Sequence, residues 1–349
     1  MSAEKRWRIV RTASVTKRKT ADGDKYVNNY LVHEVIGQGR FAKVKMCERI
    51  SAAKPAGPHR KFAMKIYSKK ALLRMKEYCS QADATDGAEG QQFRVVTALD
   101  RVRNEITIME SLYHRNIALL FEVIEDPEDD KIYLVMEHMP DGPCMLLNPD
   151  TKQFMSPLTH STLPEDCARA HVNDILKGVE YLHARGVCHR DLKPDNILLN
   201  SSGRCHLVDF GCAMQYDAAQ VANVQAKDTI GTYHFLASEC CTGEPYSPFM
   251  ADIWAVGVLL FLFLFGKLPF DAVTTKDLFD LIVNANVEEL IDSQERPVTA
   301  LCREFLLLLL RSEAAGRPSA SAALDHEWLV QNDNGDGAPA GAAPVDGAK

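Results

Sequence analysis

Residues 188–199 read Cys-His-Arg-Asp-Leu-Lys-Pro-Asp-Asn-Ile-Leu-Leu, and this stretch decides how the rest of the chain is interpreted. It places Lys193 two positions and Asn196 five positions after Asp191. In a phosphoryl-transfer loop an Asp receives the proton of the attacking hydroxyl, a Lys neutralises the phosphate and an Asn holds a metal ion. The spacing therefore predicts a phosphoryl-transfer site with these three residues in those roles.

A second motif follows this loop closely. His206 to Gly211 read His-Leu-Val-Asp-Phe-Gly, so the carboxylate of Asp209 comes soon after Asn196. Magnesium prefers hard oxygen ligands such as carboxylate and amide oxygens. We therefore expect Asn196 and Asp209 to be the magnesium ligands.

In this order the two motifs resemble those of eukaryotic protein kinases, and the resemblance covers about residues 24–330. It implies a bilobal α+β fold: a small β-rich lobe with one key helix, then a larger helical lobe. It implies a serine/threonine protein kinase that uses ATP and Mg²⁺, since Lys193 is typical of serine/threonine kinases. Asp191 is then the expected base, and Thr232 the threonine that hydrogen-bonds Asp191 and Lys193.

Two segments near the amino terminus resemble the phosphate-binding motifs of this family. Ile36 to Val44 read Ile-Gly-Gln-Gly-Arg-Phe-Ala-Lys-Val, like the loop whose glycines let the backbone close over phosphates. Ala42 replaces the third glycine, and we expect a stiffer loop. Phe62-Ala63-Met64-Lys65 is the expected strand on which Ala63 meets the adenine while Lys65 reaches the phosphates, because alternate residues share a face.

Met136-Glu137-His138-Met139 resembles the hinge that holds the adenine edge through backbone groups of Glu137 and Met139. Met136 is the bulky residue expected behind the ring, although a plain core methionine is the competing interpretation. The residues expected to contact ATP are Ile36, Gly37, Gly39, Val44, Ala63, Lys65, Glu137, Met139 and Leu198.

Lys65 needs an anion to orient it, and Glu105 is the candidate. Glu105 lies on a segment whose apolar residues recur at helical spacing, namely Val95, Leu99, Val102, Ile106 and Met109. The competing interpretation of Glu105 is a solvated charge on that helix.

The segment after Asp209 carries the expected regulatory and structural residues. Arg190 implies dependence on a phosphate in this segment, for which Thr229 is the candidate and an unmodified hydroxyl the alternative. Ala237-Ser238-Glu239 departs from the family's Ala-Pro-Glu, yet Glu239 is still expected to form a structural ion pair with Arg317.

The domain boundaries follow composition. Residues 1–29 are expected as a flexible basic arm, and residues 30–139 as the first lobe with a polar insertion at about 68–92. Residues 140–330 form the expected second lobe, with an irregular stretch at about 143–162. Residues 331–349 form a Gly- and Ala-rich tail expected to be disordered.

Composition excludes several classes of function. A net charge of −7 argues against a general nucleic-acid binder. No signal peptide is recognisable, and the longest apolar runs, Trp254 to Phe265 and Phe305 to Leu310, are shorter than a membrane span. The 10 cysteines lack paired zinc-ligand spacing and indicate reduced thiols in the cytoplasm, with nuclear access not excluded. Cys212 is either a reactive thiol or a small buried residue.

Softer signals resemble calcium/calmodulin-dependent protein kinase kinases and related upstream kinases of AMP-activated protein kinase. They include the insertion between Lys65 and Glu105, Glu122 to Pro127, and Gly142 to Met145. The expected partner is then a protein substrate, for which the activation segment of another kinase is the candidate. Because no basic amphipathic segment follows Trp328, we do not expect calmodulin control.

Three alternatives to this function stay open. The chain could be a serine/threonine kinase of another pathway. A pseudokinase scaffold would require the loss of Lys65, Asp191, Asn196 or Asp209, and all four are present. A small-molecule kinase of the same fold is disfavoured by Thr232 and Arg317.

Overall fold

The computed structural model describes residues 9–39, 41–50, 61–80 and 93–331. Across these residues a β-rich lobe precedes a larger helical lobe, which confirms the predicted α+β class. The first lobe contains strands β1 (Val10–Thr12), β2 (Lys17–Lys19), β3 (Lys25–Val27), β4 (Tyr30–Gln38), β5 (Ala42–Arg49), β6 (Lys61–Ser68), β7 (Lys76–Ser80), β8 (Phe93–Thr97), β9 (Leu120–Glu125) and β10 (Lys131–Glu137), and helices α1 (Lys69–Arg74) and α2 (Ala98–Ser111).

Eight of these strands form one sheet in the order β1-β9-β10-β6-β5-β4-β3-β2. Strand β1 is parallel to β9, and the other neighbouring strands are antiparallel. The central strand β6 carries Ala63 and Lys65, and both of its neighbours in the sheet are antiparallel to it. The sheet thus sets the nucleotide-binding residues on its middle strands.

The predicted flexible arm at residues 1–29 is wrong for its described part, because β1, β2 and β3 all belong to this sheet. Side-chain and backbone hydrogen bonds hold the segment in place. Asn28 accepts from the Thr16 amide at 2.7 Å, and Asp126 accepts from the Val15 amide at 3.0 Å. Residues 1–8 lie outside the described residues.

The expected insertion at about 68–92 begins with regular structure. Helix α1 and strand β7 occupy residues 69–80, and β7 pairs with β8 across the gap. The chain therefore enters and leaves the insertion through an antiparallel ladder. Residues 81–92, where a loop is predicted, lie outside the described residues.

Helix α2 begins with a reciprocal cap. The Asp100 amide donates to the Thr97 hydroxyl at 3.3 Å, and the Thr97 amide donates to the Asp100 carboxylate at 2.9 Å, which satisfies two otherwise orphaned donors. Val102 and Ile106 lie buried on one face, as their spacing predicts. Val95 instead belongs to β8, so the helix starts later than the apolar pattern suggests.

The second lobe begins with short strands and continues with helices. Its elements are β11 (Gly142–Pro143), β12 (Leu146–Leu147), β13 (Phe154–Met155), α3 (Glu165–His183), β14 (Val187–Cys188), β15 (Ile197–Leu199), β16 (Cys205–Leu207), β17 (Met214–Gln215), α4 (Pro248–Phe265), α5 (Thr275–Asn284), α6 (Val287–Asp292), α7 (Ala300–Leu309), α8 (Ala320–Leu324) and α9 (Glu327–Val330). Strands β12 and β13 pair within the stretch predicted to be irregular.

Helix α4 is the core of the second lobe. Its 18 residues are apolar enough for a membrane span by length and composition, but most of them are buried inside the lobe. Apolar burial on all sides is what a helix at the centre of a large core requires. Its one buried acid, Asp252, is therefore placed in a rigid environment close to the catalytic loop.

A buried ion pair joins the segment after Asp209 to this core. Arg317 donates to both carboxylate oxygens of Glu239, at 2.6 and 2.7 Å, as the sequence predicts. Ser238, at the position of the family's proline, is buried and donates to the Ser312 carbonyl at 3.0 Å. At the position where the family has a proline, the Ser238 hydroxyl thus holds the segment by a hydrogen bond to the backbone of Ser312.

We expect Arg317→Ala to lower the free energy of unfolding by about 3 kcal/mol, because it leaves the Glu239 carboxylate desolvated without its partner. Chemical denaturation of the purified protein measures the change. Arg303 is a matched control, since it binds Asp292 with two contacts of 2.7 Å but is solvent-accessible. Equal destabilisation by Arg303→Ala would contradict the role given to burial.

Candidate active site

A three-way ionic contact lies between the lobes. The Lys65 ammonium is 2.6 Å from the Glu105 carboxylate on α2 and 2.8 Å from Asp209 after β16. Burial disfavours the charged form of Lys65, but Asp209 and Glu105 outweigh it and hold its pKa well above the usual value. The Lys65 charge in turn lowers the pKa of Asp209 to about 2. Both groups therefore stay ionised at neutral pH.

Two residues that the sequence analysis missed support this contact. The buried hydroxyl of Tyr67 donates to the second oxygen of Glu105 at 2.7 Å. The side chain of Asn104 donates to the Ala213 carbonyl at 3.0 Å and so ties α2 to the segment after Asp209. The signal for Tyr67 was its place two residues after Lys65, on the same face of β6.

The catalytic loop brings four predicted residues together. Thr232 donates to the Asp191 carboxylate at 2.8 Å, and Lys193 donates to the Thr232 hydroxyl at 2.8 Å. The Lys193 ammonium is 2.9 Å from the other Asp191 oxygen. Asn196 donates to the Asp191 carbonyl at 2.7 Å and to its carboxylate at 3.0 Å. The Asp191 carboxylate is thus oriented by the Thr232 hydroxyl, the Lys193 ammonium and the Asn196 amide.

Asp252 of α4 holds the backbone of the catalytic loop at residues 189 and 190. Its carboxylate accepts from the amides of His189 and Arg190, both at 2.8 Å, and contacts His183 at 3.0 Å. Arg190 has φ of +67° and Asp209 of +60°, which L-residues rarely adopt. Such strain persists only where surrounding contacts enforce it, and it is often found at functional sites.

The segment that carries Thr232 approaches the loop closely at Gly231. Its φ is +116°, and a Cβ there would lie 2.5 Å from the Arg190 carbonyl. Only glycine fits this crossing without displacing backbone. Gly231 therefore sets how near Thr232 comes to Asp191.

The predicted nucleotide-binding residues share adjoining strands. In the sheet Val44 pairs with Lys65, while Met136 pairs with Ala63. Ala42 lies in β5 with its side chain buried and its φ negative, so alanine here causes no backbone strain. The glycine-rich turn closes through a bond from the Gly39 amide to the Ala42 carbonyl at 2.9 Å. Ile36 is exposed at the mouth of this loop.

The hinge groups already have some partners. The Glu137 amide donates to the Leu119 carbonyl at 2.8 Å, and the Met139 carbonyl accepts from Gly142 at 3.3 Å. Backbone groups of Glu137 and Met139 remain the ones predicted to meet an adenine edge. Leu198, partly exposed on β15, is the predicted floor of this pocket.

The donor set suits magnesium. Asn196 uses its amide nitrogen on Asp191, so its carbonyl oxygen is the atom left for a metal. Asp209 is about half accessible, and one of its oxygens contacts Lys65. Among the described residues no cluster of three or more His, Cys, Asp or Glu side chains could hold a metal. One carboxylate plus an amide, completed by substrate phosphates, is how Mg²⁺ is usually bound.

Arg190 has an anionic neighbour other than the predicted phosphate. Its buried guanidinium is 2.6 Å from the Asp228 carboxylate, whereas the exposed Thr229 donates to the Cys240 carbonyl at 3.3 Å. Within the described part of the chain, Nε of Arg190 has no hydrogen-bond partner.

Cys212 is partly buried, and burial raises the pKa of its thiol to about 11. Cys212 is therefore a protonated thiol at neutral pH, not a reactive thiolate.

Comparison with known proteins agrees with this geometry. The protein kinase domain family matches residues 30–329, and the chain belongs to this family. The serine/threonine-protein kinase TOS3 of Saccharomyces cerevisiae is 34% identical over 271 residues, which are 75% of this chain and 44% of TOS3.

Two further relatives cover more of the chain. The serine/threonine-protein kinase GRIK1 of Arabidopsis thaliana is 31% identical over 325 residues, 93% of this chain and 72% of GRIK1. The serine/threonine-protein kinase ssp1 of Schizosaccharomyces pombe is 33% identical over 345 residues, 94% of this chain and 48% of ssp1. The chain thus spans less than half the length of TOS3 and ssp1. It belongs to a family whose members use ATP, and the relatives it matches are serine/threonine-protein kinases.

We expect Asp191→Asn to lower the turnover number by about 10²- to 10⁴-fold, the usual contribution of a positioned general base. Lys65→Met should abolish transfer, because the phosphates lose their contact. Phosphate incorporation into a generic peptide measures both effects. Asp325→Asn, at the exposed end of α8, is the control and should leave turnover unchanged. Undiminished transfer by Asp191→Asn would rule out the assigned base.

Proposed function

We propose that this kinase acts upstream of AMP-activated-type kinases, transferring the ATP γ-phosphate to the activation-segment threonine of such a kinase. The observation that carries the serine/threonine transfer is the Thr232 hydroxyl between Asp191 and Lys193, at 2.8 Å from each. This arrangement orients the carboxylate toward an incoming hydroxyl and keeps an ammonium beside the phosphate.

The residues divide the chemistry between them. Asp191 accepts the proton of the substrate hydroxyl as its oxygen attacks the γ-phosphorus, while the bond from that phosphorus to the bridging β-phosphate oxygen breaks and ADP leaves. Lys193 offsets the charge that develops on the transferring phosphoryl group, and Lys65 holds the α- and β-phosphates. Asn196 and Asp209 would hold Mg²⁺, which neutralises phosphate charge when bound.

An open groove beside Thr232 supports a polypeptide substrate. Its volume is about 370 Å³, and residues 231–234 line one side while Ala272 to Thr275 and Leu278 line the other. Tyr233 and Val273 are exposed there, so the groove offers apolar surface next to the acceptor position. A protein segment that runs past Asp191 could lay side chains along it.

The upstream role is supported by the resemblance in the stretches 122–127 and 142–145 and by similarity to GRIK1 and TOS3. A folded kinase as substrate needs a docking surface besides the groove. The paired strands β12 and β13 and the insertion entered through β7 and β8 are the candidate surfaces.

The upstream role is tested with a catalytically inactive AMP-activated-type α-subunit as substrate, followed by mass-spectrometric mapping of the product. We expect phosphate on its activation-segment threonine. A variant of the substrate with alanine at that threonine is the control and should remain unlabelled. Robust labelling of a generic peptide without labelling of that threonine would reject the upstream role and leave the kinase activity intact.

We also propose that Thr229 carries a regulatory phosphate, which would occupy the Nε donor of Arg190. Thr229→Ala should then lower activity by about ten-fold, as expected for one lost hydrogen bond to a charged group. Mass spectrometry of active enzyme checks for the phosphate, and Thr159→Ala at an exposed loop is the control. Full activity of Thr229→Ala would show that Asp228 alone satisfies Arg190.

A further inference from the structure

The amino-terminal strand makes a direct ionic contact with helix α2. In β1, Arg11 donates through Nε and Nη2 to the two carboxylate oxygens of Glu110, each at 2.7 Å. Two parallel charge-assisted bonds fix both distance and orientation. The contact spans 99 positions of the sequence, so it joins two separate parts of the fold.

Strand β1 is itself anchored to the sheet and does not move with α2 alone. It pairs in parallel with β9, where Val10 lies opposite Glu122. The hydroxyl of Thr12 donates to the buried carboxylate of Glu122 at 2.6 Å. A few residues on, Lys17 of β2 forms an ion pair with Asp129 in the turn between β9 and β10. The backbone at Arg11 is thus held within the sheet.

Helix α2 makes ionic contacts at Glu105 and at Glu110. Glu105 meets Lys65 within the sheet, and Glu110 meets Arg11 about one and a half turns further on. The buried apolar face and the Asn104 contact hold the helix against the lobe, and the Arg11 contact adds a restraint near its carboxyl end. Loss of that restraint allows the end of the helix that follows Glu105 to move more freely.

We propose that Arg11 and Glu110 are positioning residues, which hold α2 so that Glu105 stays on Lys65 and the phosphate site is formed before ATP binds. This rests on the roles proposed for Lys65 and Glu105. The amino-terminal segment would then act as part of the catalytic lobe, and any partner that covers or displaces β1 would change the affinity for ATP.

The physical consequence concerns ATP affinity more than turnover. If the contact is lost, a larger fraction of molecules has α2 displaced, and apparent affinity falls in proportion to the fraction that is competent. Bound ATP draws the helix back, because it interacts with Lys65 in the competent state. The Michaelis constant for ATP should therefore rise while turnover at saturating ATP stays nearly constant.

The experiment compares the full chain with Arg11→Ala, Glu110→Ala and the reversed pair Arg11→Glu with Glu110→Arg. Each single variant should raise the Michaelis constant for ATP by about two- to five-fold, the range for an accessible ion pair. The reversed pair should restore it. Arg303→Ala, which removes a bidentate contact between α6 and α7 of the same length, should leave it unchanged.

Hydrogen exchange of the α2 amides without nucleotide provides a second readout. Residues 98–111 should exchange faster in Arg11→Ala, and not in Arg303→Ala. An unchanged Michaelis constant together with unchanged exchange would overturn the proposal, as would a loss of turnover without a change in the constant. Glu105→Ala distinguishes failure of this proposal from failure of the role given to Glu105. If Glu105→Ala also leaves the Michaelis constant for ATP unchanged, the proposed role of Glu105 fails.

Discussion

The burial of one ammonium group governs the arrangement of both lobes. Lys65 lies at the centre of a sheet where an unpaired cation would be strongly destabilising. Its two anionic partners come from different places, Glu105 from α2 and Asp209 from the second lobe. Pairing of Lys65 therefore brings together α2, the sheet and the segment that carries Asp209.

The two halves of the chemistry are supported in different ways. Asp191, the proposed base, belongs to a loop bonded to Asp252 on the buried helix α4, so the core of the second lobe holds it. Lys65, the proposed phosphate ligand, pairs with Glu105 of α2, and the accessible Arg11 contacts the same helix near its carboxyl end. The first half is therefore held by the core of the second lobe, while the second combines a buried ion pair with one contact at an accessible side chain.

The sequence predicted the site well because each family motif specifies which residue type stands at which position. Lys65, Glu105 and Thr232 lie where the motifs indicate. It failed at the amino terminus, where strand β2 reads Lys-Arg-Lys and has no apolar alternation to identify it. The sequence also did not predict two contacts: the parallel pairing of β1 with β9 and the contact of Asp228 with Arg190. Both join residues far apart in the sequence, and no local pattern specifies such a partner.

The attachment of the catalytic loop to α4 has a consequence for fluctuations of the native state. Segments bonded to the deepest part of a core open only when that core opens, whereas segments held at the surface open at a smaller free energy. The amides of His189 and Arg190 belong to the first kind, through Asp252. On the proposed role of Arg11, opening of α2 would separate Glu105 from Lys65 while Asp191 stays in place, and recovery of the competent state would require only that helix to move back.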